Sequence, residues 1–151
     1  MDSRPGFQPS VIYQDPKGAM RWLAAAFGFE TAIYIEDDNG GFVHCQMRHG
    51  EALISIGEAW SDDFSSPLAL GGKNTQLTSI QIDTDLDAHC ERARAAGAVI
   101  VAEPETQFYG DRTYRCRDLE GHHWSVGQTV AAVSREDAEA RLPGAKITGW
   151  L

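Results

Sequence analysis

"DPKGAMRWLAAAFGFE", residues 15–30, and "DLDAHCERARAAGA", residues 85–98, decide how this chain is built. In the first, Met20, Leu23, Ala24 and Phe27 recur at helical spacing, Asp15 before Pro16 marks a helix start, and Gly28 marks its stop. In the second, Leu86, Cys90 and Ala93 share one side and Gly97 is the stop. The two stop glycines lie 69 positions apart, close to half of the 151-residue chain. Each helix is preceded by one strand-like run and followed by three. Before the first stands "SVIYQ"; after it come "TAIYIED", "GFVHCQM" and "EALISIG", the last two joined by a tight turn at "RHGE". "TSIQI" precedes the second helix, and "VIVAEP", "RTYRCRD" and "HHWSVGQ" follow it. The chain therefore writes a βαβββ module twice.

Module one covers about residues 8–59 and module two about 78–128, within a single domain over 1–151. Residues 60–77, "WSDDFSSPLALGGKNTQL", form a linker long enough for a lid or a dimer contact. The tail, 129–151, reads as a short helix with Ser134 as N-cap and Asp137 three residues on, ended by Pro143 and Gly144. Hydrophobic residues make up 42% and charged residues 23%, a composition that suits a packed domain. No apolar run approaches the roughly 20 residues needed to cross a bilayer. "MDSRPGFQPS" lacks the basic-then-apolar layout of a signal peptide, so a cytoplasmic location and no membrane partner are expected. The formal charge of −9, from 13 basic and 22 acidic residues, argues against a nucleic-acid surface. It leaves room for a cationic or neutral small ligand. Cys45, Cys90 and Cys116 sit in apolar patterns with no CxxC spacing and read as buried free thiols.

Two such modules resemble the vicinal oxygen chelate superfamily: glyoxalase I, extradiol dioxygenases, and fosfomycin- and bleomycin-resistance proteins. The resemblance covers about residues 8–128 and is carried by "DPKGAMRWLAAAFGFE" and by "GDRTYRCRDLEGHHWSVG". The latter is similar to the closing hairpin of glyoxalase-like proteins, with Leu119 in place of the usual proline. The resemblance implies an α+β fold in which the two βαβββ modules form a cupped, eight-stranded mixed sheet with flanking helices. It also implies a ligand inside the cup and a homodimer.

Strand alternation sorts the faces of that cup. A two-residue turn at His49 and Gly50 places Arg48 opposite Glu51, Gln46 opposite Leu53 and His44 opposite Ser55. Met47 with Ala52, Cys45 with Ile54 and Val43 with Ile56 are the apolar pairs and should pack on the helix. Phe42, His44, Gln46, Arg48, Glu51, Leu53 and Ser55 are left for the cup or solvent. In the closing hairpin a three-residue loop, Leu119, Glu120 and Gly121, sends Tyr114, Cys116, Trp124 and Val126 to the core. Thr113, Arg115, Arg117, His123 and Ser125 then share the polar face.

Metal-using members of the superfamily place His, Gln or Glu on four cup strands, with a Glu on the last. Here the matching positions offer Gln8 or Ser10, Leu53 or Ser55, Thr78 or Ser79, and Ser125. Neutral hydroxyls are poor donors for a divalent cation, so no cofactor is expected. A rearranged site of His44, Glu51 and His123, holding zinc, nickel or iron, is the alternative. The plainer assignments are a His44–Ser55 bond, a Glu51–Arg48 pair at the rim, and His122 bonded to Asp118 or the loop backbone. His49 and His89 then read as structural or solvated, and Asp111–Arg112 as a structural pair.

The ligand-binding candidates are Phe42, His44, Gln46, Arg115, His123 and Ser125, with Trp60 and Tyr109 expected at the mouth beside Phe64 and Phe108. Aromatics there can stack on a planar molecule, and Asp62 and Asp63 can attract a cation. Alternatively the loop aromatics are half-buried in a dimer interface. No catalytic residue can be assigned. There is no G-x-S-x-G, H-E-x-x-H or glycine-rich phosphate loop, and Ser125 lacks an evident base. The reading favours binding or sequestration of a small organic molecule. Its alternative is a metal-dependent lyase, isomerase or dioxygenase.

Overall fold

The computed structural model of the protein describes residues 6–150. Helix α1 (Pro16–Phe27) begins with Asp15 accepting the Gly18 N–H at 2.9 Å. It ends at Gly28, whose φ of 78° is left-handed and whose N–H returns to the Ala24 carbonyl. Its buried stripe runs through Ala19, Trp22, Leu23, Ala26 and Phe27, while Met20 is partly buried and Ala24 is exposed. The stripe is thus rotated from the expected Met20, Leu23, Ala24, Phe27. The cause is a second neighbour: α1 packs on α2 (Leu86–Ala95) as well as on its own sheet. There the Trp22 indole donates to the Ala96 carbonyl at 2.9 Å. On α2 the expected Leu86, Cys90 and Ala93 are the buried residues.

The first sheet takes β1 (Ser10–Ile12), β2 (Glu30–Glu36), β3 (Phe42–His49) and β4 (Ala52–Gly57) in the order β1-β4-β3-β2. The second takes β5 (Leu77–Ile82), β6 (Val99–Thr106), β7 (Asp111–Arg117) and β8 (His123–Thr129) in the matching order β5-β8-β7-β6. In each, the first strand lies parallel to the last and the other pairs are antiparallel. The eight strands therefore form two four-stranded mixed sheets, with no ladder joining them among the described residues.

Both sheets face one core. Cys45, Met47, Ile54 and Ile56 from the first meet Ile80, Tyr114, Cys116, Trp124 and Val126 from the second, around the two helices. Burial of this kind is the main stabilising term, at about 25 cal/mol per Å² of apolar surface. By alternation, the residues between these look away from the core. All three cysteines are buried and free. Between the sheets the linker holds a single 3₁₀ turn, Pro67–Leu70. The tail helix α3 (Arg135–Arg141) has the Ser134 hydroxyl accepting from the Asp137 N–H at 3.0 Å.

A buried polar latch joins the modules. Asp118 accepts from the Tyr13 hydroxyl at 2.7 Å and from the Trp124 indole at 3.0 Å. Glu120 accepts the backbone N–H of Gln14 and of Asp15, at 2.7 and 2.9 Å. Burial and then the Asp118 charge push the Tyr13 pKa up, so its hydroxyl stays a donor.

Candidate functional site

The polar face of the second sheet is built as the alternation predicts. Arg117 lies opposite His123, Cys116 opposite Trp124 and Arg115 opposite Ser125. Gly121 closes the loop at a φ of 89°. Tyr114, Cys116, Trp124 and Val126 are buried, whereas Thr113, Arg117, His123 and Ser125 are half-buried and Arg115 exposed.

The first hairpin departs from expectation. Its turn is Gly50–Glu51, His49 still pairs with Ala52, and Gln46 lies opposite Ser55, with Arg48 opposite Leu53. The register is shifted by two residues, which changes partners but not faces. Glu51 and Arg48 form no ion pair among the described residues. Ser55 lies opposite Gln46 and accepts from Gln8 Nε2 at 2.8 Å, so the shifted register takes it away from His44, and no His44–Ser55 bond forms among the described residues. Val43, expected in the core, is 55% exposed, because it starts β3 beside a β2 that is exposed along its whole length.

Other pairings also resolve. Asp111 and Arg112 do not pair with each other, since neighbours on a strand point to opposite faces. Arg112 instead grips Asp87 with two bonds, at 2.7 and 2.8 Å, and Asp111 accepts from the Thr129 hydroxyl. His122 N–H donates to Asp118, while its ring meets the Ile12 carbonyl at 2.6 Å and stands edge-on to Tyr13. It belongs to the junction between modules and not to the polar face.

The four positions that hold metal in the resembled superfamily carry hydroxyls and an amide here. Ser10 lies opposite Ser55, and Ser79 opposite Ser125, each a cross-strand pair of hydroxyls, with the Gln8 amide beside the first. All are neutral, and none offsets the lost hydration of a divalent cation as a carboxylate or imidazole does. This donor set does not fit the metal. Nor does one chain bring His44, Glu51 and His123 together: no group of three His, Cys, Asp or Glu side chains suited to a metal occurs among the described residues.

Near the linker, Trp60 is 76% exposed and packs on Phe64 with ring centroids 4.5 Å apart and the planes tilted by 35°. The pair borders a cavity of about 680 Å³ that also meets Asp62, Asp63, Lys73 and His122. Phe108 and Tyr109 stand edge-on to each other at 5.1 Å, and the Phe108 carbonyl is bound by Arg141 of α3. A larger groove, about 1060 Å³, runs between β4 and β5 and takes in His49, His89 and Arg92. The sequence reads His49 and His89 as structural or solvated and assigns nothing to Arg92. His49 ends β3 and the other two lie on α2, and nothing local announces that they meet.

Residues 8–126 match the family model for the Glyoxalase/Bleomycin resistance protein/Dioxygenase superfamily. The chain belongs to that superfamily. Curated relatives from Mycobacterium bovis and Mycobacterium tuberculosis, themselves uncharacterised proteins, are each 29% identical over 91% of this chain, covering 92% and 82% of their own lengths. Among solved superfamily-like structures, TioX from a Micromonospora species is 28% identical, covers 86% of this chain and 100% of its own, and superposes with a TM-score of 0.65. TnmS3, an antibiotic binding protein from a Streptomyces species, shares the fold at 18% identity and a TM-score of 0.62, over 85% of this chain and 98% of its own. Among the described residues of this superfamily member, no helix is long and apolar enough to cross a membrane.

Proposed function

We propose that this superfamily member binds a small organic molecule without a metal, on the polar faces of its sheets, as a cytoplasmic homodimer. The observation that carries the reading is the donor set. Where a metal-using relative needs imidazoles and carboxylates, this chain sets Ser10 against Ser55 and Ser79 against Ser125. Such hydroxyls, with Gln46, Arg115 and His123 on the same faces, suit directional hydrogen bonds to an organic ligand. The exposed Trp60–Phe64 pair beside Asp62 and Asp63 favours a planar, cationic one. TnmS3 uses a similar fold and is described as an antibiotic binding protein. Exposed apolar residues on both outer strands, Ile33 and Ile35 of β2 with Val99 and Val101 of β6, support a second copy as their cover. Three buried free thiols accord with a reducing compartment.

The test is metal analysis of untagged protein purified without chelator, followed by titration with nickel, zinc and iron. In parallel, planar cationic dyes are titrated while tryptophan fluorescence is read. Saturable quenching that Trp60→Ala abolishes, with no stoichiometric metal, is the expected result. Tight stoichiometric metal lost in His44→Ala would overturn it in favour of a metal-dependent lyase, isomerase or dioxygenase.

A further inference from the structure

Strand register sets out the polar face of the second sheet in rows. Arg115 of β7 lies opposite Ser125 of β8, which lies opposite Ser79 of β5. In the next row Arg117 lies opposite His123, and His123 opposite Leu77. Arg115 and Ser79 are exposed, and Arg117, His123 and Ser125 are half-buried.

Neither arginine has an ionic partner. Elsewhere Arg94, Arg112 and Arg135 each pair with a carboxylate, as a chain with 22 acidic residues allows. Arg115 and Arg117 pair with none among the described residues. Arg21 and Arg48 are unpaired as well, but Arg21 is a single exposed position on α1 and Arg48 lies opposite Glu30. Arg115 and Arg117 instead stand together on one face of one strand, about 7 Å apart by two steps of strand rise, where like charges repel. Of the carboxylates that alternation puts on the same face, Asp111 accepts from the Thr129 hydroxyl, and Glu105 lies opposite Thr113, a row beyond Arg115.

The Arg117 Nε is buried without a partner, so its stem is packed down and its charge is held close to the sheet. A guanidinium kept partly out of water loses hydration that an anionic acceptor restores best. The Ser125 hydroxyl, one strand spacing of about 5 Å across from Arg115, adds a neutral donor, and Ser79 beyond it a second. The net charge of −9 opposes an anion from afar, but at physiological salt exposed charges are screened beyond about 8 Å, so the local pair decides. That pair also repels a divalent cation from Ser125.

We propose that the polar face of the second sheet recognises a carboxylate on the ligand, held between Arg115 and Arg117 with the Ser125 hydroxyl as a third donor. This rests on the reading that the polar faces bind a small organic molecule. It adds the charge of the group that lies on the second sheet, whatever ring the Trp60–Phe64 pair takes.

Rhodamine 110 and rhodamine 123 share one planar cationic ring system and differ in one group, a carboxylate in the first and its methyl ester in the second. Each is titrated into the full chain near neutral pH, with dye anisotropy as the readout. The expected result is saturable binding of both, roughly tenfold tighter for the carboxylate, a gain within reach of charge-assisted bonds to one ligand group. Arg115→Gln and Arg117→Gln each narrow that ratio. Arg21→Gln removes an equal charge from α1 and leaves the ratio unchanged, and circular dichroism shows all three variants folded. A ratio near one, a ratio untouched in Arg115→Gln, or equal narrowing in Arg21→Gln overturns the carboxylate assignment and leaves small-molecule binding standing. Binding of neither dye overturns both.

Discussion

The two modules repeat one topology but treat their β-hairpins differently. In module two the loop between β7 and β8 is clamped onto module one. Asp118 gathers the Tyr13 hydroxyl, the Trp124 indole and the N–H groups of Glu120 and His122, while Glu120 holds the two amides at the start of α1. The corresponding turn of module one, Gly50–Glu51, faces the end of β5 and the start of α2 with no hydrogen bond to either among the described residues. Where the first junction is filled with carboxyl groups and their donors, the second is an open groove edged by imidazoles. A duplicated fold need not duplicate its contacts: one copy of the junction is a latch and the other stays open.

That contrast can be broken at the latch. Asp118→Ala strands two buried side-chain donors and two amides, and at about 1–3 kcal/mol for each group left fully unpaired the loss should reach about 3–5 kcal/mol. Urea denaturation measures it, and a loss below about 1 kcal/mol would mean that the latch is not what joins the modules. Glu120→Gln keeps one acceptor but loses the charge-assisted bonds to Gln14 and Asp15, and should cost about 1–2 kcal/mol. The matching change in module one, Glu51→Ala, touches no partner and should leave the urea midpoint unchanged.

Helices and the closing hairpin were legible because their signals are local. Asp15, Gly28 and the alternation of Tyr114, Cys116, Trp124 and Val126 all act within a few residues. In the β3–β4 hairpin the hydrophobic pattern fixes only the parity of pairing, so the turn could slide by two residues without violating it. The rotated stripe of α1 was hidden because its cause, α2, lies far along the chain. The latch was hidden for the same reason: Tyr13 and Asp118 are 105 residues apart. At the candidate site the polar faces were readable, but partners such as Gln8 for Ser55 and Asp87 for Arg112 come from outside the two hairpins. His49 and His89 read as structural or solvated because the elements that bring them together, β3 and α2, belong to different modules.

The smallest expected effect tests whether the groove side is held together differently from the latch. Burial first, only partly offset by the Phe27 carbonyl, lowers the pKa of His49 and of His89, and for His89 the charges of His49 and Arg92 lower it further. Both groups are therefore harder to protonate in the folded chain than at the ordinary histidine value of 6.5. Between that value and the lower folded one, the unfolded chain binds more protons. The stability they contribute is complete above about pH 6.5 and is lost as the pH falls through the window beneath it. Melting temperature should drop by a few degrees between pH 7.5 and 5.5, a range chosen to stay above most carboxyl titration. His89→Phe, which keeps a ring against Phe27, lowers the melting temperature at both pH values because Tyr114 loses its partner, but it should shrink the difference between them. An undiminished pH dependence in that variant would show that the acid sensitivity arises elsewhere, and that the two junctions do not differ in the way their side chains indicate.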